Sequence, residues 1–472
     1  MKTEVVNPNL SNFVKSLRDV GYTFEIAVAD ILDNCITAKA SEVKIYTIAE
    51  PEIIFTMLDN GIGMSSEQLV EAMRLASRDP EEEREKNDLG RFGLGLKTAS
   101  FSQCRKLTVI SKKEGTISSR QWDLDVISKT NEWLLITPEL EDLKYLPMYE
   151  EFSKLDHGTL VVWENIDKFK KEGFVNEIDK LRKHISLVFH RFLESGGKFK
   201  SLKISVNNNP IKAFNPFNVS HPATQEGTAE KIKLFDSTVT IQPFILPHHS
   251  KLSQQEYEQY ATEEGYTKSQ GFYLYRSDRL LIYGTWWGLH RAIDAHKLVR
   301  VKIDISNDQD TYWGIDIKKS TAKPNQEIKA DLIRIIQQAT EKGSRPYTGR
   351  GKKIDNKTIT MFWKIIPVDG NFRFALNEEH PLYEKLMEIC ADKELLVSYL
   401  KSIQAYLPLE AIQARLQQNP HELKQETAIS EEEIEALAEK LKSSGLDPEY
   451  IDSLLKTELF KNRKELLKDG NE

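Results

Sequence analysis

The most informative stretch of this chain reads Asp59-Asn60-Gly61-Ile62-Gly63-Met64, and it directly follows a strand-like apolar run at residues 53–58. An acid at the end of a buried strand can accept a hydrogen bond from the flat edge of a base. The two glycines let the backbone turn tightly and approach a ligand without a Cβ clash. The same pattern is also typical of an ordinary turn. Three further segments decide between these interpretations.

The first of these segments is a helix predicted over residues 23–40, with Thr23 as its N-cap. Its apolar residues recur at helical spacing, namely Phe24, Ala27, Ile31, Cys35 and Ala38. Asp30 and Asn34 are four residues apart and therefore share one face, with Asp33 in the adjacent row. An amide oxygen beside a carboxylate suits a hard cation and a positioned water. The alternative is a solvated polar face.

The second segment is a glycine-rich loop, Gly90-Arg91-Phe92-Gly93-Leu94-Gly95-Leu96-Lys97-Thr98, before a helix-like stretch. Backbone N–H groups in such a loop, followed by a helix N-terminus, favour anions. The loop is not a P-loop, because Leu96 separates Gly95 from Lys97, and its glycine spacing is the reverse of the dinucleotide fingerprint. The third and least specific segment is Gly158-Thr159, which opens an apolar β run.

The order of these motifs along the first 165 residues resembles the ATP-binding domain of the GHKL superfamily, which includes gyrase, a heat-shock chaperone, histidine kinases and MutL. The motifs are Asp30-x-x-x-Asn34, Asp59-x-Gly61-x-Gly63, Gly90-x-x-Gly93-x-Gly95 and Gly158-Thr159. The resemblance implies a Bergerat fold, an α/β (α+β) sandwich whose mixed sheet is covered by helices on one face. It also implies ATP and Mg²⁺ as ligands.

The resemblance assigns roles to individual residues. Asn34 would hold Mg²⁺ through its side-chain oxygen, and Asp59 would accept from the adenine amine with help from Thr159 through water. The charged stretch at residues 78–88 would be part of a mobile lid. The residues that would bind the nucleotide are Asn34, Asp59, Gly61, Gly63, Met64, Gly90, Gly93, Leu94, Gly95, Lys97 and Thr159.

One position departs from the family pattern. The family usually has glutamate four residues before the magnesium asparagine, where it orients the attacking water, and here that residue is Asp30. Aspartate reaches one methylene less far, and a misplacement on the order of 1 Å can lower a rate roughly a hundredfold. Glu25 lies on a different turn and is a poor substitute. We therefore expect an ATP hydrolase that binds ATP but hydrolyses it slowly.

The middle of the chain resembles the transducer domain that follows the ATPase domain in MutL, gyrase and MORC proteins. Alternating strand patterns occur at residues 271–282 and 299–305, and another strand-like run at 313–320. In those proteins a loop lysine reaches back to the terminal phosphate. Lys319 is the candidate for this catalytic contact and Lys318 the alternative. Two exposed lysines after a strand would be the plain interpretation.

Length and composition fit a chain of several domains, since 472 residues suit two or three. The predicted division is an ATP-binding domain at 1–165, a transducer-like domain at 166–342, a basic flexible linker at 343–354 and a C-terminal region at 355–472. That last region is mixed and then helical, with helical spacing at 431–443 and 448–467. We expect it to serve dimerisation or partner docking.

Charge and cysteine usage limit the function classes. The net charge of −7 argues against the whole molecule being an electrostatic DNA clamp, although a basic cluster at residues 290–302 and the basic linker could face phosphates in a closed dimer. Cys35, Cys104 and Cys390 lack CxxC spacing, as expected of a reduced cytosolic protein. The sequence has no signal peptide and no apolar run long enough to span a bilayer, so a cytoplasmic protein is expected.

Within the superfamily, the residues at 30–34, 90–100 and 275–279 look most like prokaryotic MORC/MutL-type ATPases. That resemblance implies an ATP-gated homodimer, a clamp or loader, that works on DNA with a partner nuclease in antiviral defence, restriction or repair. Two alternatives stay open: a chaperone-like ATPase that acts on protein clients, and a nucleotide-binding scaffold that scarcely hydrolyses ATP.

Overall fold

The computed structural model describes most of the chain. The described residues are 3–4, 9–75, 77, 95–194, 201–262, 265–316, 319, 321–351, 359–368, 371–418, 428–445 and 447–467. The chain divides into two compact units, one of Met1–Leu246 with Tyr260–Thr340 and one of Pro247–Gln259 with Glu341–Glu472.

Helices and strands are mixed along the chain, and the last five of these elements are helices. The helices are α1 (Leu10–Arg18), α2 (Phe24–Thr37), α3 (Ser66–Met73), α4 (Gly95–Gln103), α5 (Leu124–Thr130), α6 (Leu140–Leu143), α7 (Tyr149–Ser153), α8 (Phe174–Val188), α9 (His190–Leu193), α10 (Gln254–Ala261), α11 (Lys329–Gly351), α12 (Pro381–Ile389), α13 (Lys393–Ala405), α14 (Leu409–Gln418), α15 (Glu431–Ser443) and α16 (Pro448–Leu454). The strands are β1 (Glu42–Ile48), β2 (Ile54–Asp59), β3 (Cys104–Lys113), β4 (Thr116–Asp123), β5 (Gly158–Ile166), β6 (Lys203–Val206), β7 (Asn209–Pro210), β8 (Gln225–Glu226), β9 (Glu230–Leu234), β10 (Ser237–Ile245), β11 (Gly271–Arg276), β12 (Arg279–Thr285), β13 (Val299–Ile305), β14 (Trp363–Val368) and β15 (Asn371–Leu376).

A seven-stranded mixed sheet forms the first half of the first unit, in the order β4-β3-β5-β2-β1-β6-β7. Only the pairing of β1 with β6 is parallel. Helices α1, α2, α4 and α8 share one apolar core with this sheet, and the short helices α6 and α7 pack on residues of its other face. The predicted α/β sandwich is confirmed.

Strand β2 is buried over most of its length and ends at the predicted base-binding acid, Asp59. Phe55 packs on Trp163 of β5 with ring centroids 4.5 Å apart. The register of β2 with β5 sets Asp59 opposite Thr159. The two motifs that are 100 residues apart in sequence therefore meet at one edge of the sheet.

A six-stranded second sheet completes the first unit, in the order β12-β11-β13-β10-β8 with β9 paired to β10. Helix α11 covers one face with residues that include Leu332 and Ile336. Helix α8 links the two sheets, because Ile185 lies in the core of the first sheet and Leu187 packs with Tyr275 of β11. This arrangement brings β12 close to α2, which carries the predicted catalytic acid.

The sheet structure continues past the domain boundary predicted at residue 165. Strands β6 and β7 extend the first sheet, and its core runs on to Ile211. Helix α11 also includes residues 343–351 of the predicted flexible linker, whose backbone is therefore helical. Propagating an existing helix adds one hydrogen bond per residue, whereas starting one is costly. The division into functional domains stays a prediction.

The second unit combines the β14–β15 hairpin with helices α12 to α16. Helix α15 spans the predicted residues 431–443, and a capping box formed by Ser430 and Glu433 begins it. The helix predicted over 448–467 is wrong in length, because α16 ends at Leu454 and the remaining residues turn back to bury Phe460. Among the described residues, no helix is both long and apolar enough to cross a membrane.

Candidate functional site

Asp59 is a buried carboxylate at the end of β2, with 4% of its surface exposed. Its Oδ1 accepts a hydrogen bond of 2.8 Å from the backbone N–H of Gly61. Burial raises the pKa of Asp59 to about 6, partly offset by hydrogen bonds such as the one from Gly61. At neutral pH this side chain is therefore still mainly an acceptor, as recognition of an amine requires.

Gly61 and Gly63 occupy positions that a larger residue could not fill. A Cβ on Gly61 would lie 2.8 Å from the Cβ of Ala38 at the end of α2. Gly63 has a φ of +64°, and a Cβ there would lie 2.0 Å from the carbonyl oxygen of Lys112. The loop after β2 is thus packed tightly against both α2 and β3, which explains the glycine pair in physical terms.

A chain of hydrogen bonds joins Met64 to Thr159. The backbone N–H of Met64 donates to Oγ of Ser111 over 2.8 Å, and that hydroxyl lies 3.0 Å from Oγ1 of Thr159. Ser111 also donates to the carbonyl of Gly158. Ser111 could not be singled out from local sequence, because its position in β3 becomes relevant only through the pairing of β3 with β5.

Asp30 and Asn34 lie one turn apart on α2 but in different environments. Asp30 is 2% exposed, whereas Asn34 is exposed. Within the part of the chain that the structure describes, the side-chain amide of Asn34 has no hydrogen-bond partner. Its oxygen is therefore available to an external ligand. In the same described part, no group of three or more His, Cys, Asp or Glu side chains could hold a metal ion.

Asp30 is held by groups from three parts of the first unit. The Tyr22 hydroxyl donates to its Oδ2 over 2.9 Å, and Nζ of Lys319 lies 3.3 Å from its Oδ1. A guanidinium nitrogen of Arg279 is 3.7 Å from the same oxygen. Burial raises the pKa of Asp30, and the positive charges of Lys319 and Arg279 oppose that rise.

Asp33 is the second buried acid on α2, and both cations contact it more closely than they contact Asp30. Nζ of Lys319 donates to its Oδ2 over 2.6 Å. Nε of Arg279 is 2.8 Å from its Oδ1, an ion pair whose orientation is not that of a linear hydrogen bond. Sequence reasoning placed Lys319 near the site but missed Arg279 and Tyr22. The sequence contains one indication for Arg279. A charged residue in an apolar strand pair must find a polar partner if it is buried.

The glycine-rich loop is described only from its end. Helix α4 begins at Gly95, and a Cβ on this residue would lie 3.9 Å from Oδ2 of Asp30. Lys97 is buried, and its ammonium donates to the carbonyl of Ala72 over 2.9 Å. The predicted nucleotide-binding residues Gly90, Gly93 and Leu94, the predicted lid at 78–88 and Lys318 lie outside the described residues.

Helix α2 connects the two parts of the site. Asp30 belongs to the cluster with Lys319, and Ala38 accepts a 3.0 Å hydrogen bond from the backbone N–H of Ile62 in the loop after β2. Eight residues of helix cover about 12 Å. The structure thus brings the predicted residues together in two groups along one helix, with exposed Asn34 between them.

Two members of the predicted basic cluster at residues 290–302 are buried, whereas Arg291 is exposed. Arg300 is fully buried, and its guanidinium donates to the backbone carbonyls of Pro216 and Tyr260. Lys297 is 6% exposed and pairs with Asp294. The alternation of charged and apolar residues predicted a solvent-exposed strand face. In the structure, Arg300 and Lys297 instead bind groups of the protein itself.

Comparisons with known proteins find similar sequences among ATPases. Residues 22–159 match the family described as Histidine kinase-, DNA gyrase B-, and HSP90-like ATPase. The chain is similar to ATPase MORC2B of Mus musculus, with 30% identity over 99 residues, which cover 20% of this chain and 9% of the mouse protein. It is also similar to ATPase morc-1 of Caenorhabditis elegans, with 29% identity over 119 residues, which cover 25% of this chain and 14% of the nematode protein. The matched segments span only a small part of each relative.

Proposed function

We propose, from the GHKL-type ATPase domain that residues 22–159 form, that this protein is a Mg²⁺-dependent ATPase whose bound nucleotide gates a homodimer acting on DNA. The observation that carries the proposal is the 3.3 Å contact between Lys319, after the second sheet, and Asp30 on α2. This contact joins the acid in the water-orienting position to the residue expected to contact the terminal phosphate. Antiviral defence, restriction or repair with a partner nuclease is the proposed setting.

The described residues suit Mg·ATP in three respects. The exposed amide of Asn34 would hold Mg²⁺, which prefers oxygen ligands and usually keeps phosphate and water oxygens as well. Bound Mg²⁺ would neutralise charge on the phosphates. Asp59 would accept from the adenine amine, with help through water from Thr159, which lies opposite Asp59 in the pairing of β2 with β5. Gly61 and Gly63 would let the loop after β2 pack tightly enough to hold Asp59 in this position.

Asp30 would orient the attacking water. Burial raises the pKa of Asp30, which makes the carboxylate a stronger base, although the charges of Lys319 and Arg279 oppose that rise. The Tyr22 hydroxyl fixes one of its two oxygens. The shorter reach of aspartate still favours slow hydrolysis, and this observation also supports the second candidate, a scaffold that binds ATP and scarcely turns it over.

DNA as the substrate class is supported by the resemblance to MutL and gyrase rather than by the surface charge. The net charge of −7 favours the third candidate, a chaperone-like ATPase that acts on protein clients. A closed dimer could still present basic side chains on one surface, where phosphate contacts make binding salt-dependent.

Steady-state ATPase activity with and without double-stranded DNA separates these candidates. We expect slow basal turnover that DNA stimulates by about fivefold or more, the lower end of ordinary coupling between sites. The D30N variant controls for contaminating ATPases. Stimulation by unfolded protein alone would favour the chaperone, and ATP binding without any turnover would favour the scaffold.

A further inference from the structure

Two acids and two cations form a buried cluster between α2 and the second sheet, comprising Asp30, Asp33, Arg279 and Lys319. Their exposed fractions are 2%, 1%, 4% and 8%. The formal charges of the cluster sum to zero. Because an uncompensated buried charge is strongly destabilising, each member can change partners only if the others remain neutralised.

The distances in this cluster are not equal. Lys319 lies 2.6 Å from Asp33 but 3.3 Å from Asp30, and Arg279 lies 2.8 Å from Asp33 but 3.7 Å from Asp30. Asp33 is thus the main partner of both cations, while Asp30 also has the hydroxyl of Tyr22. Asp33 therefore keeps a cation even when Lys319 leaves.

We infer that Asp33 competes with the terminal phosphate of ATP for Lys319, and that Arg279 is the positioning residue that neutralises Asp33 once the lysine has moved. This inference rests on the proposed role of Lys319 as the phosphate-sensing lysine. When Lys319 exchanges one anionic partner for another, Arg279 remains as the cation beside Asp33, and Asp30 keeps the hydrogen bond from the Tyr22 hydroxyl. Asp33 thereby sets how strongly the protein distinguishes ATP from ADP.

Backbone conformation is compatible with such an exchange. Lys319 has a φ of +54°, in the left-handed region that non-glycine residues seldom occupy. Arg279 instead begins the regular strand β12 directly after the turn at Ser277 and Asp278, and its guanidinium lies over the ring of Phe189 with 5.5 Å to the centroid. The arginine thus sits on a regular element and has a second contact, as expected of the cation that stays.

The test is the ratio of affinities for a non-hydrolysable ATP analogue and for ADP, measured by equilibrium titration with Mg²⁺. D33N should raise the preference for the analogue about tenfold, since the lysine loses its competitor. R279Q should lower this preference severalfold, because Asp33 then depends on Lys319 alone, and R279K should return it toward the wild-type value. ADP affinity should change little in all three variants.

Opposite signs for D33N and R279Q distinguish the inference from a purely structural ion pair, whose two halves would shift the preference in the same direction or not at all. D310N is the matched control, because it neutralises another buried pair, Asp310 with Arg276 at 2.6 Å, outside the cluster. We expect D310N to lower the melting temperature without changing the preference. If D33N does not fold, a preference that R279Q lowers and R279K restores supports the inference, whereas an unchanged or raised preference in R279Q overturns it.

K319A separates failure of this inference from failure of the proposed function. A wild-type preference in K319A would overturn the phosphate-sensing role and the competition together. A reduced preference in K319A combined with no rise in D33N would overturn the competition alone. In the double variant D33N/K319A the gain expected from D33N should disappear.

Discussion

Replacing Asn34 with alanine is expected to abolish measurable Mg·ATP binding. The Asn34 amide carries an exposed oxygen between the two groups of site residues on α2, and no partner within the described residues competes for it. Alanine removes the proposed protein ligand to Mg²⁺, so the negative charge of the phosphates would no longer be neutralised at this position. Direct titration with labelled ATP in the presence of Mg²⁺ measures the effect, and chelation of Mg²⁺ from the wild-type protein should mimic it.

Two further variants control for this result. T37A changes another exposed residue of α2, whose hydroxyl donates a hydrogen bond to the backbone carbonyl of Asp33. This variant should bind Mg·ATP normally. D59N should weaken adenine nucleotides specifically, because an acceptor facing an amine becomes a partial donor. Unchanged ATP affinity in both N34A and D59N would contradict the interpretation of these residues as a nucleotide-binding site.

Replacing Asp30 with asparagine is expected to lower ATP turnover about 10²-fold or more while ATP stays bound, which is the lower range for loss of a general base. The amide cannot accept a proton from water at neutral pH. Asparagine nearly matches aspartate in size, so that the contact with Tyr22 can persist. Single-turnover hydrolysis and equilibrium binding of the same preparation separate the two effects.

The reverse change in length adds information about Asp30. D30E restores the family's usual residue, but the site is built closely around aspartate, with Tyr22, Lys319 and Arg279 all in contact or near contact. We therefore expect D30E to hydrolyse ATP more slowly than the wild type. Wild-type turnover in D30N would show that another group, or none, activates the water.

Local patterns predicted the parts of the fold whose signals are local. Helix α2 spans Phe24–Thr37 with Thr23 at its N-cap position, close to the predicted 23–40, and β2 ends at Asp59 as expected. The GHKL-type domain suspected from four ordered motifs is confirmed by the family match over residues 22–159. The order of the four motifs supported this prediction, whereas each motif alone is also compatible with ordinary turns and helices.

The remaining features depend on contacts between residues far apart in sequence. Pairing of β1 with β6 extends the first sheet by residues that follow the predicted boundary. Lys319 and Asp30 are separated by 289 residues. Arg279 lies near Asp30 because α8 packs against the cores of both sheets. Burial of Arg300 was missed for the same reason, since alternation along β13 does not reveal what covers its outer face.

ATP-gated assembly is the central claim, and light scattering across micromolar protein concentrations tests it most directly. A ligand shifts such an equilibrium only through contacts that differ between the two states, and the terminal phosphate supplies a contact that ADP lacks. We predict a dimer with a non-hydrolysable ATP analogue, a monomer with ADP or without nucleotide, and a weakened response in K319A that retains ADP affinity. Identical mass under all three nucleotide conditions would contradict the account.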